Sequence, residues 1–578
     1  MITYGINLSD RGKQGDITKH LNSILEKCSD NTDEIRIEFE KGEYHFFEEF
    51  CEKHTIYASN TDSQRFPVKS VAINIHRIKN LTFDGNGSEF VMHGKIVPVK
   101  VTESEGIIIK NFSWDFPSPT VFEMTVKGKK CFSAEYMLPK KMMWDIKGRK
   151  LRWYDKSPFT NQLYWEEYNN GESYCNVIYD KEKNTICRYN LNVSPFNMAI
   201  KIKRTSADTV KIYYIKPLSD LYKPTNVFQM CPSKNRDCIG SFFCESRNIT
   251  VKNVRVHYMS GFGWLVQMCE NVSFISCDFM PDKKSDRTCT SFADLIHVSG
   301  AKGKINIERC NFSHAHDDAI NIHGTYTRVK KMIDKKTLLL EYVHHQQNGF
   351  VQYHAGDKVV FYSRKNFAGV ENEMEFTVKK TVNPLCGDNN VKEMIVEFSE
   401  NLPSILSKSQ QFVCENVTYT PEVYIGSCSF DTIPTRGILC TTRKKVIIEN
   451  NVFDHLTMAS IYLSNDCNDW YESGPIRDMT IKGNIFYIRK STAFKGKKGA
   501  ILIEPIVAES MSEEVFVHSN INVENNIFYM EHDNVVNAKN TDMITVKNNK
   551  IYSLCDEKIN AFIFNGCKNT VVENNSLK

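Results

Sequence analysis

The chain has 578 residues, of which 41% are hydrophobic and 25% are charged, and these values exclude an intrinsically disordered protein. Its 73 Lys and Arg against 69 Asp and Glu give a formal net charge of +4, which offers no reason to expect nucleic acid or an anionic membrane as partner. No stretch has the apolar length that would predict a membrane span.

Cysteine usage predicts mostly free thiols. The count of 19 is odd, so complete pairing within one chain is excluded, and no Cys-x-x-Cys pair supports a zinc site. Several cysteines lie inside apolar strand patterns, where a buried thiol acts as a small hydrophobe.

The first predicted element is an amphipathic helix near the N-terminus. Asp16 and Thr18 are followed by Leu21, Ile24 and Leu25, which recur at helical spacing. Because the terminal repeat of a solenoid requires a cap, we expect this helix to cover one end of the repeats that follow. The cap and the first repeats make up the predicted region 1–117.

A short motif begins at 107–114, with a weaker copy at Leu81 and Phe83, and recurs to the C-terminus. Each copy has a short apolar strand, an Asn or Cys turn and a closing apolar residue. Asn suits the turn because it tolerates the left-handed conformation, and stacked amide side chains can hydrogen-bond from one repeat to the next. We interpret each copy as part of one coil of a β-solenoid.

The first interruption of the series is a predicted inserted domain over 118–228. Segments 122–128 and 210–216 alternate between apolar and polar residues with a period of two, which indicates antiparallel strands. The gap between successive copies of the motif is long enough for a small barrel-like β domain.

The motif returns at 249–256, 272–279 and 305–312, within a predicted stretch of coils over 229–324. These coils also carry three acidic residues that open short apolar strands. Asp317 and Asp318 follow Asp294 by 23 and 24 residues, which is the length of one coil. Since equivalent positions on successive coils lie about 4.8 Å apart, we expect the three carboxylates to cluster on one face.

Three interpretations of this cluster are open. Clustered carboxylates repel, so some hold protons while others stay ionised, and glycoside hydrolysis uses that division between a proton donor and a carboxylate that activates water or attacks the sugar. The second, non-catalytic alternative is a solvent-exposed Asp-Asp turn beside an unrelated Asp294. A zinc or manganese site is the third, with His314, His316, Asp317, Asp318 and His323 as candidate ligands.

The metal interpretation is the weakest of the three. His314 and His316 stand at alternating spacing in a turn, and the sequence identifies no carboxylate to support a ligating histidine. We therefore expect no metal and no cofactor.

A second inserted β domain is predicted over 325–419. Segments 356–362 and 394–398 again alternate with a period of two. The C-terminal region, 420–578, is predicted to be solenoid, with copies of the motif at 446–453, 479–486, 521–528 and 544–551.

The spacing of the closing apolar residue supplies the fold prediction. Phe430 to Phe453 is 23 residues, Phe453 to Phe486 is 33, and Phe486 to Phe528 is 42. A minimum near 23, lengthened by loops, is typical of stacked β coils that cannot bury their apolar faces alone. The sequence therefore predicts an all-β protein, a right-handed parallel β-helix with two inserted antiparallel β-barrel-like domains.

The pocket around the three carboxylates is expected to be completed by residues flanking them and by later coils. An aromatic ring such as Trp470 can stack on the apolar face of a sugar. The predicted substrate-binding residues are His297, His316, Asn321, His323, Arg436, Arg443, Asn465, Trp470 and Glu504.

At these residues the chain resembles the pectin-lyase-like superfamily, in which polygalacturonases carry one Asp followed a coil later by an Asp-Asp pair. It is more closely similar to glycoside hydrolase family 110, the bacterial α-1,3-galactosidases acting on blood-group-B-type glycans. The resemblance rests on Asp294, on Asp317-Asp318 within His-Asp-Asp-Ala-Ile-Asn, and on the two insertions, and it covers nearly the whole chain.

The resemblance implies an exo-acting, inverting hydrolase without metal or cofactor, which removes terminal α-1,3-linked galactose. It gives Asp317 the role of general acid, and it gives Asp294 and Asp318 the task of positioning and deprotonating water. The chain lacks the Gly-His-Gly and Arg-x-Lys of polygalacturonases, since the matching coil reads Arg-Gly-Ile-Leu-Cys-Thr-Thr-Arg over 436–443. That departure disfavours acidic sugars and fits a neutral galactoside.

Other functions on the same fold are a polysaccharide lyase, which usually needs calcium, and a non-catalytic glycan-binding solenoid. The expected partner is a galactose-terminated oligosaccharide, and the large insertions are natural contacts for a homodimer. Such glycans lie outside the cell, so we expect the periplasm or cell surface after removal of a signal peptide that this chain does not carry. Free cysteines argue for the cytoplasm instead.

Overall fold

The computed structural model describes residues 1–148, 150–169, 173–232, 235–382, 391–490, 499–506, 515–555 and 559–578. Its body is a right-handed parallel β-helix, in which 33 of the described strands form one continuous sheet. A six-stranded closed barrel and an antiparallel sheet of seven strands lie outside that sheet. The predicted fold class is confirmed.

The helix predicted near the N-terminus is present as Thr18–Cys28. It buries Leu21, Ile24 and Leu25 and packs on the strand Val68–His76, to which Asn22 donates a hydrogen bond at the Ala72 carbonyl (2.7 Å). The short 3-10 helices of the described chain are Leu8–Asp10, Lys13–Gly15, Glu48–Phe50, Asp220–Tyr222, Val370–Asn372 and Ser404–Ser407.

The strands of the β-helix fall into three groups separated by the two insertions. Those before the first insertion are Ile2–Ile6, Ile35–Phe39, Glu43–Phe47, Glu52–Thr55, Val68–His76, Lys79–His93, Ile96–Thr102 and Glu105–Asp115. Those between the insertions are Ile239–Cys244, Arg247–Val256, Phe262–Ile275, Asp278–Phe279, Ile296–Glu308, Asn311–Ser313 and Ile320–Thr325.

The third group begins after the second insertion. It contains Glu422–Gly426, Ser429–Ile433, Ile438–Cys440, Lys445–Glu449, Val452–Leu456, Ile461–Leu463, Glu472–Ser473, Asp478–Lys482, Ile485–Ile488, Ile501–Ile503, His518–Glu524, Ile527–Met530, Val536–Lys539, Thr541–Lys547, Lys550–Ser553, Phe562–Asn565, Val571–Glu573 and Ser576–Leu577.

A column of stacked phenylalanines runs through the core of the β-helix. Adjacent ring centroids lie 4.6–5.2 Å apart with nearly parallel planes, which matches the spacing of strands in a sheet. We call this column the Phe stack; its members are Phe279, Phe312, Phe430, Phe453, Phe486 and Phe528.

The turn before each of these rings contains the second element of the repeat. The Oδ1 atom of Asn484 accepts a hydrogen bond from the backbone N–H of Asn451 (2.9 Å), and Asn526 does the same for Asn484. We call this series the Asn ladder; it comprises Asn451, Asn484, Asn526, Asn549 and Asn575, and Cys277, Cys310 and Cys428 continue it towards the N-terminus with Sγ as acceptor.

The residue before each ladder position takes the left-handed backbone conformation. Asn450, Asn525 and Asn548 have φ near 57°, and Gly483 occupies the same place at 65°. The turns that contain an Asn pair thus use Asn twice, first to allow the positive φ and then to bond the next coil.

The first insertion is built from antiparallel strands. Its larger sheet consists of Phe122–Lys130, Ser133–Met137, Tyr174–Asp180, Thr185–Arg188, Ala199–Arg204, Thr209–Tyr214 and Asn226–Cys231. Met143–Lys147, Lys150–Lys156 and Leu163–Tyr168 form a smaller sheet beside it.

The second insertion is the closed barrel. Its strands are Thr327–Asp334, Thr337–Glu341, Lys358–Ser363, Phe376–Val382, Glu393–Phe398 and Phe412–Asn416. The barrel starts directly after the strand Ile320–Thr325, and the chain re-enters the β-helix at Glu422–Gly426. The second insertion therefore leaves the solenoid directly after the strand that follows Asp317 and Asp318.

Two features bear on the expectations from composition. None of the 18 cysteines in the described part of the chain is paired in a disulfide. No helix within these residues is long and apolar enough to cross a bilayer.

Candidate active site

The three carboxylates predicted to cluster do so, at the wall of one pocket. One oxygen from each of Asp294, Asp317 and Asp318 lies within 4.8 Å of the other two. The pocket has a volume of about 200 Å³. It is lined by Asn60, Arg236, Asp294, Asp317, Asp318, Asn321, Arg436, Leu439, Tyr462, Ser464, Asp466, Asp469, Trp470, Glu472 and Ile506.

Strand register explains why these side chains meet. Ile296 pairs with Ile320, and Ile320 pairs with Ile438, so the residues two positions earlier on each coil are Asp294, Asp318 and Arg436. The backbone N–H of Leu295 donates to the carbonyl of Asp318, which holds the two turns one above the other. The buried isoleucines fix the coils, and the charged residues stand at the turn before them.

Asp317 lies beside this column and meets three arginines. Its carboxylate lies 3.2 Å from Arg188, 3.2 Å from Arg236 and 3.4 Å from Arg436. Burial by itself would raise the pKa of Asp317, but the three guanidinium groups hold it below its usual range. Asp317 is therefore ionised in this arrangement of the site.

Asp294 and Asp318 are in the opposite electrostatic situation. Their residues are 3% and 1% exposed, and burial together with the charge of Asp317 raises the pKa of each to about 7. Arg436 partly offsets this for Asp318, to which its Nε donates at 2.5 Å. Near neutral pH the cluster thus holds a proton on Asp294 or Asp318 while Asp317 carries the charge.

This distribution differs from the one that the resemblance implies. A general acid must carry a proton when substrate binds, and the arginines disfavour a proton on Asp317. Asp317 can act as the donor only if a proton reaches it, for example from Asp318 beside it, as the sugar enters.

Three of the predicted substrate-binding residues lie behind the pocket rather than on its wall. His297 and His323 are buried behind Asp294, and His297 Nδ1 lies 2.7 Å from Asp294 Oδ2. His316 Nε2 lies 2.5 Å from Gln229 Oε1 of the first insertion. In this geometry these histidines contact protein groups and do not reach a ligand in the pocket.

The other predicted residues divide in the same way. Asn321, Arg436 and Trp470 line the pocket, and the Oδ1 atom of Asn321 has no hydrogen-bond partner among the described residues. Asn465 is 1% exposed and lies under the pocket-lining Ser464 and Asp466.

Arg443 and Glu504 do not line the pocket. Arg443 turns towards the barrel, where it contacts Glu373, Glu415 and Tyr362, because the second insertion covers this side of its coil. Glu504 pairs with Lys539 at 2.5 Å.

Several residues that line the pocket or contact its carboxylates were not predicted. Arg188 arrives from the strand Thr185–Arg188 of the first insertion, Arg236 from the return to the β-helix, and Asn60 from the N-terminal region. Nothing local in the sequence marks these positions, because their proximity depends on how the insertions fold back. The sequence did contain a signal for Tyr462, because Tyr462 lies one coil beyond Leu439 in the column that contains Asn321.

The candidate metal ligands are not brought together as one set. His314 packs against Tyr179, His316 bonds Gln229, and His323 faces His297. These three rings occupy different surroundings, so the described residues do not form the His-Asp set considered from the sequence.

Three comparisons with known proteins place the chain. No protein-family model matches it. It is 32% identical to alpha-1,3-galactosidase A of Streptomyces avermitilis, over 90% of this chain and 82% of that protein. It is also 32% identical to alpha-1,3-galactosidase A of Bacteroides thetaiotaomicron (94% and 91% covered) and 29% identical to alpha-1,3-galactosidase B of Phocaeicola vulgatus (94% and 91%).

Among solved structures, an exopolygalacturonase from Thermotoga maritima is similar with a TM-score of 0.39 and 10% identity, covering 99% of this chain and 92% of that one. The tailspike protein of Escherichia coli bacteriophage HK620 in complex with a pentasaccharide has a TM-score of 0.38 and 10% identity, covering 99% of this chain and 65% of that one.

Proposed function

Because the chain belongs to the family of alpha-1,3-galactosidases, we propose that it removes terminal α-1,3-linked galactose from oligosaccharides of the blood-group-B type or from linear α-galactosyl chains. The observation that supports this most is the pocket with three carboxyl groups of divided protonation, one ionised and two with a pKa of about 7. Proton transfer to a leaving oxygen and activation of water require that division.

The size of the pocket supports action at a chain end. At about 200 Å³ it is smaller than the roughly 300–1,000 Å³ typical of pockets for larger ligands, and a single sugar ring suits it better than a chain segment. Asn60 of the N-terminal region and Trp470 of a later coil close it on two sides.

Buried acceptors without partners give the pocket groups to which the hydroxyls of a sugar can donate. Asp318 Oδ2 and Asn321 Oδ1 are buried, and neither has a hydrogen-bond partner among the described residues. Sugar hydroxyls can donate hydrogen bonds to such atoms. A buried acceptor that is left without a hydrogen bond costs about 1–3 kcal/mol. Trp470, which His344 and Arg236 also contact, lines the pocket and can pack on the apolar side of galactose.

In the proposed reaction, water attacks the anomeric carbon while a carboxylic acid of the cluster protonates the departing oxygen. Asp294 and Asp318 hold and deprotonate the water, and Asp317 serves as the acid after receiving a proton. The guanidinium groups of Arg188 and Arg236 disfavour the proton on Asp317, so its acidity in the complex is high.

Inversion is proposed from the family resemblance alone. Carboxyl groups of inverting enzymes usually stand about 6.5–9.5 Å apart, and the oxygens of this cluster approach within 4.8 Å of one another. Inversion therefore requires that the acid and the water-binding pair approach the anomeric carbon from different directions despite their proximity. The stereochemistry of the first product decides it.

The function is tested with a panel of galactosides. Purified protein is incubated with linear α-1,3-galactosyl oligosaccharide, its branched fucosylated counterpart, and α-1,4- and α-1,6-linked controls, and free galactose is measured. Release from the α-1,3-linked substrates alone is the expected result. No galactose from any of them, or an unsaturated product absorbing in the ultraviolet, would overturn the proposal.

A further inference from the structure

Behind the pocket, a line of buried groups connects Asp294 to the opposite wall. His297 Nδ1 lies 2.7 Å from Asp294 Oδ2, His297 Nε2 lies 2.8 Å from His323 Nε2, and that same atom of His323 lies 3.4 Å from Glu472 Oε1. Both imidazoles are buried, whereas the Glu472 side chain is 14% exposed at the pocket surface and accepts a hydrogen bond from Asn60.

Hydrogen-bond valence limits where protons can sit in this line. His323 Nδ1 lies 2.6 Å from the carbonyl oxygen of Gly324, which can only accept, so Nδ1 carries a hydrogen. Only one hydrogen fits between the two Nε2 atoms of His297 and His323. Burial holds the pKa of His297 well below its usual range and keeps that ring neutral, so the position of the shared hydrogen decides whether Asp294 and His323 are protonated.

Two arrangements satisfy the line. If the shared hydrogen belongs to His297, a neutral His297 has a bare Nδ1, which must accept from a protonated Asp294. If it belongs to His323, that ring is an imidazolium beside Glu472, and His297 Nδ1 donates to an ionised Asp294. The two arrangements differ only by short shifts of two hydrogens.

We propose that His297, His323 and Glu472 form a proton relay that converts Asp294 from a carboxylic acid into the base for the attacking water. The relay rests on the hydrolase function proposed above. The Asp294 hydrogen moves to His297 Nδ1, and the His297 Nε2 hydrogen moves to His323 Nε2. Asp294 can then take a proton from water as the water oxygen bonds to the anomeric carbon, and the imidazolium releases its proton to solvent beside Glu472. No electrons are transferred in these shifts.

The surroundings explain why a relay is needed. Asp294 is 3% exposed, and a sugar in the pocket would cover its remaining access to water. The charged groups facing Asp294 are Arg236, Arg436, Asp317 and Glu472, with Asp318 on the neighbouring coil. Glu472 is also the carboxylate nearest His323, where it stabilises an imidazolium. His297 and His323 touch the catalytic carboxylate and not the sugar, so they are positioning residues.

The pH dependence of a His323→Gln variant tests the relay. Glutamine retains a hydrogen-bonding group near the Nε2 position but cannot pass a proton. We expect kcat to fall about 10²-fold at pH 6, with the deficit narrowing above pH 7, because Asp294 then loses its proton without help. A purely structural histidine would give a loss that is uniform with pH.

His518→Gln is the matched control, since His518 is a buried histidine of the β-helix that accepts a hydrogen bond from the Ile476 backbone outside the pocket. Its kcat and pH profile should remain those of the unmodified protein. If His323→Gln behaves like His518→Gln, or loses activity equally at every pH, the relay is wrong.

A second measurement separates failure of the relay from failure of the proposed function. Nitrogen-15 NMR of labelled histidines reads the two ring nitrogens of His323 without substrate, and Asp294→Asn should change their chemical shifts because the two groups share the line of hydrogen bonds. Unchanged His323 nitrogen shifts overturn the relay even if galactose is released. Absence of galactose release by the unmodified protein, with the coupling present, overturns the hydrolase function instead.

Discussion

The C-terminal coils, from Glu422 onwards, and the coils that carry the carboxylates are built on the same frame and use it differently. Both contribute to the Phe stack and to the ladder of turn side chains, and both keep buried isoleucines in register. In the C-terminal coils each buried ladder amide between Asn451 and Asn549 is bonded to its neighbours. In the carboxylate coils, Asp318 Oδ2 and Asn321 Oδ1 are buried without partners among the described residues.

The two regions differ in charge at one position of the coil. Following the register, the column through Asp294, Asp318 and Arg436 reaches Ala459 on the next coil, so charge gives way to a small apolar residue. The ladder of turn side chains bonds successive coils in both regions. The column through Asp294, Asp318 and Arg436 is not needed for that bonding. A solenoid can therefore place poorly satisfied, chemically active groups on one coil while its neighbours maintain the fold.

The largest expected effect is on activity, in the carboxylate coils. Asp317→Asn should lower kcat on the order of 10²–10⁴-fold, and its melting temperature should fall as well, because three guanidinium groups lose their shared counter-ion. Asp278→Asn, in the strand Asp278–Phe279 of a neighbouring coil and outside the pocket, is the control and should leave kcat unchanged. A variant Asp317→Asn that hydrolyses the substrate normally would remove Asp317 from the mechanism.

The same variant distinguishes the role of proton donor from that of base. If Asp317 donates the proton, the fall in kcat caused by Asp317→Asn should be smaller on an aryl α-galactoside, whose leaving group needs no protonation. The fall in kcat caused by Asp294→Asn should be equal on the oligosaccharide and on the aryl galactoside. The reverse pattern would assign the acid to Asp294, in line with the raised pKa of Asp294 and the lowered pKa of Asp317.

In the C-terminal coils the expected effect is the opposite, a loss of stability without loss of kcat. Asn484→Ala removes the acceptor of the Asn451 N–H and leaves the Ile448 carbonyl without its side-chain donor. Each unsatisfied buried group costs about 1–3 kcal/mol, so urea unfolding should show a loss of roughly 3 kcal/mol.

Asn522→Ala is the control for that experiment, because Asn522 lies on an adjacent strand outside the ladder and is half-buried. It should stay within about 0.5 kcal/mol of the unmodified protein. Equal free energies of unfolding for the two variants would show that the Asn ladder does not stabilise the C-terminal coils.

The last effect is a pH-dependent difference in stability between Asp294→Asn and the unmodified protein. The pKa of Asp294 rises from 3.8 to about 7 on folding, so the proton stabilises the fold fully below pH 3.8 and this contribution is lost as the pH rises to about 7. Asp294→Asn is neutral at every pH. Its melting temperature relative to the unmodified protein should therefore be higher at pH 8 than at pH 4.5, and a constant difference would contradict the raised pKa.

The features that repeat along the chain could be predicted from the sequence. The residues that the insertions bring to the site could not. The 23-residue spacing of Phe430 and Phe453 and the 24-residue spacing of Asp294 and Asp318 follow from coil geometry, so both could be read in advance. Arg188 could not, because its distance from Asp317 depends on how a separate sheet packs against the β-helix.

The histidines show a second limit of the sequence. His297 alternates with Ile296 and Val298 and so points out of the core, as expected for a residue near substrate. The segment containing Ser59 and Asn60 covers that face and turns an outward histidine into a buried one. Period-two patterns give the face of a strand, and they do not tell what later covers it.

The most direct test of hydrolysis at the three aspartates follows the first sugar released, by proton NMR during early turnover of a linear α-1,3-galactosyl oligosaccharide. The expected result is β-galactose, appearing before its mutarotation to the α form, with no galactose formed over the same time by Asp317→Asn. Appearance of α-galactose first would contradict inversion and the roles given to Asp294 and Asp318. Unchanged release by the variant would contradict catalysis by this cluster altogether.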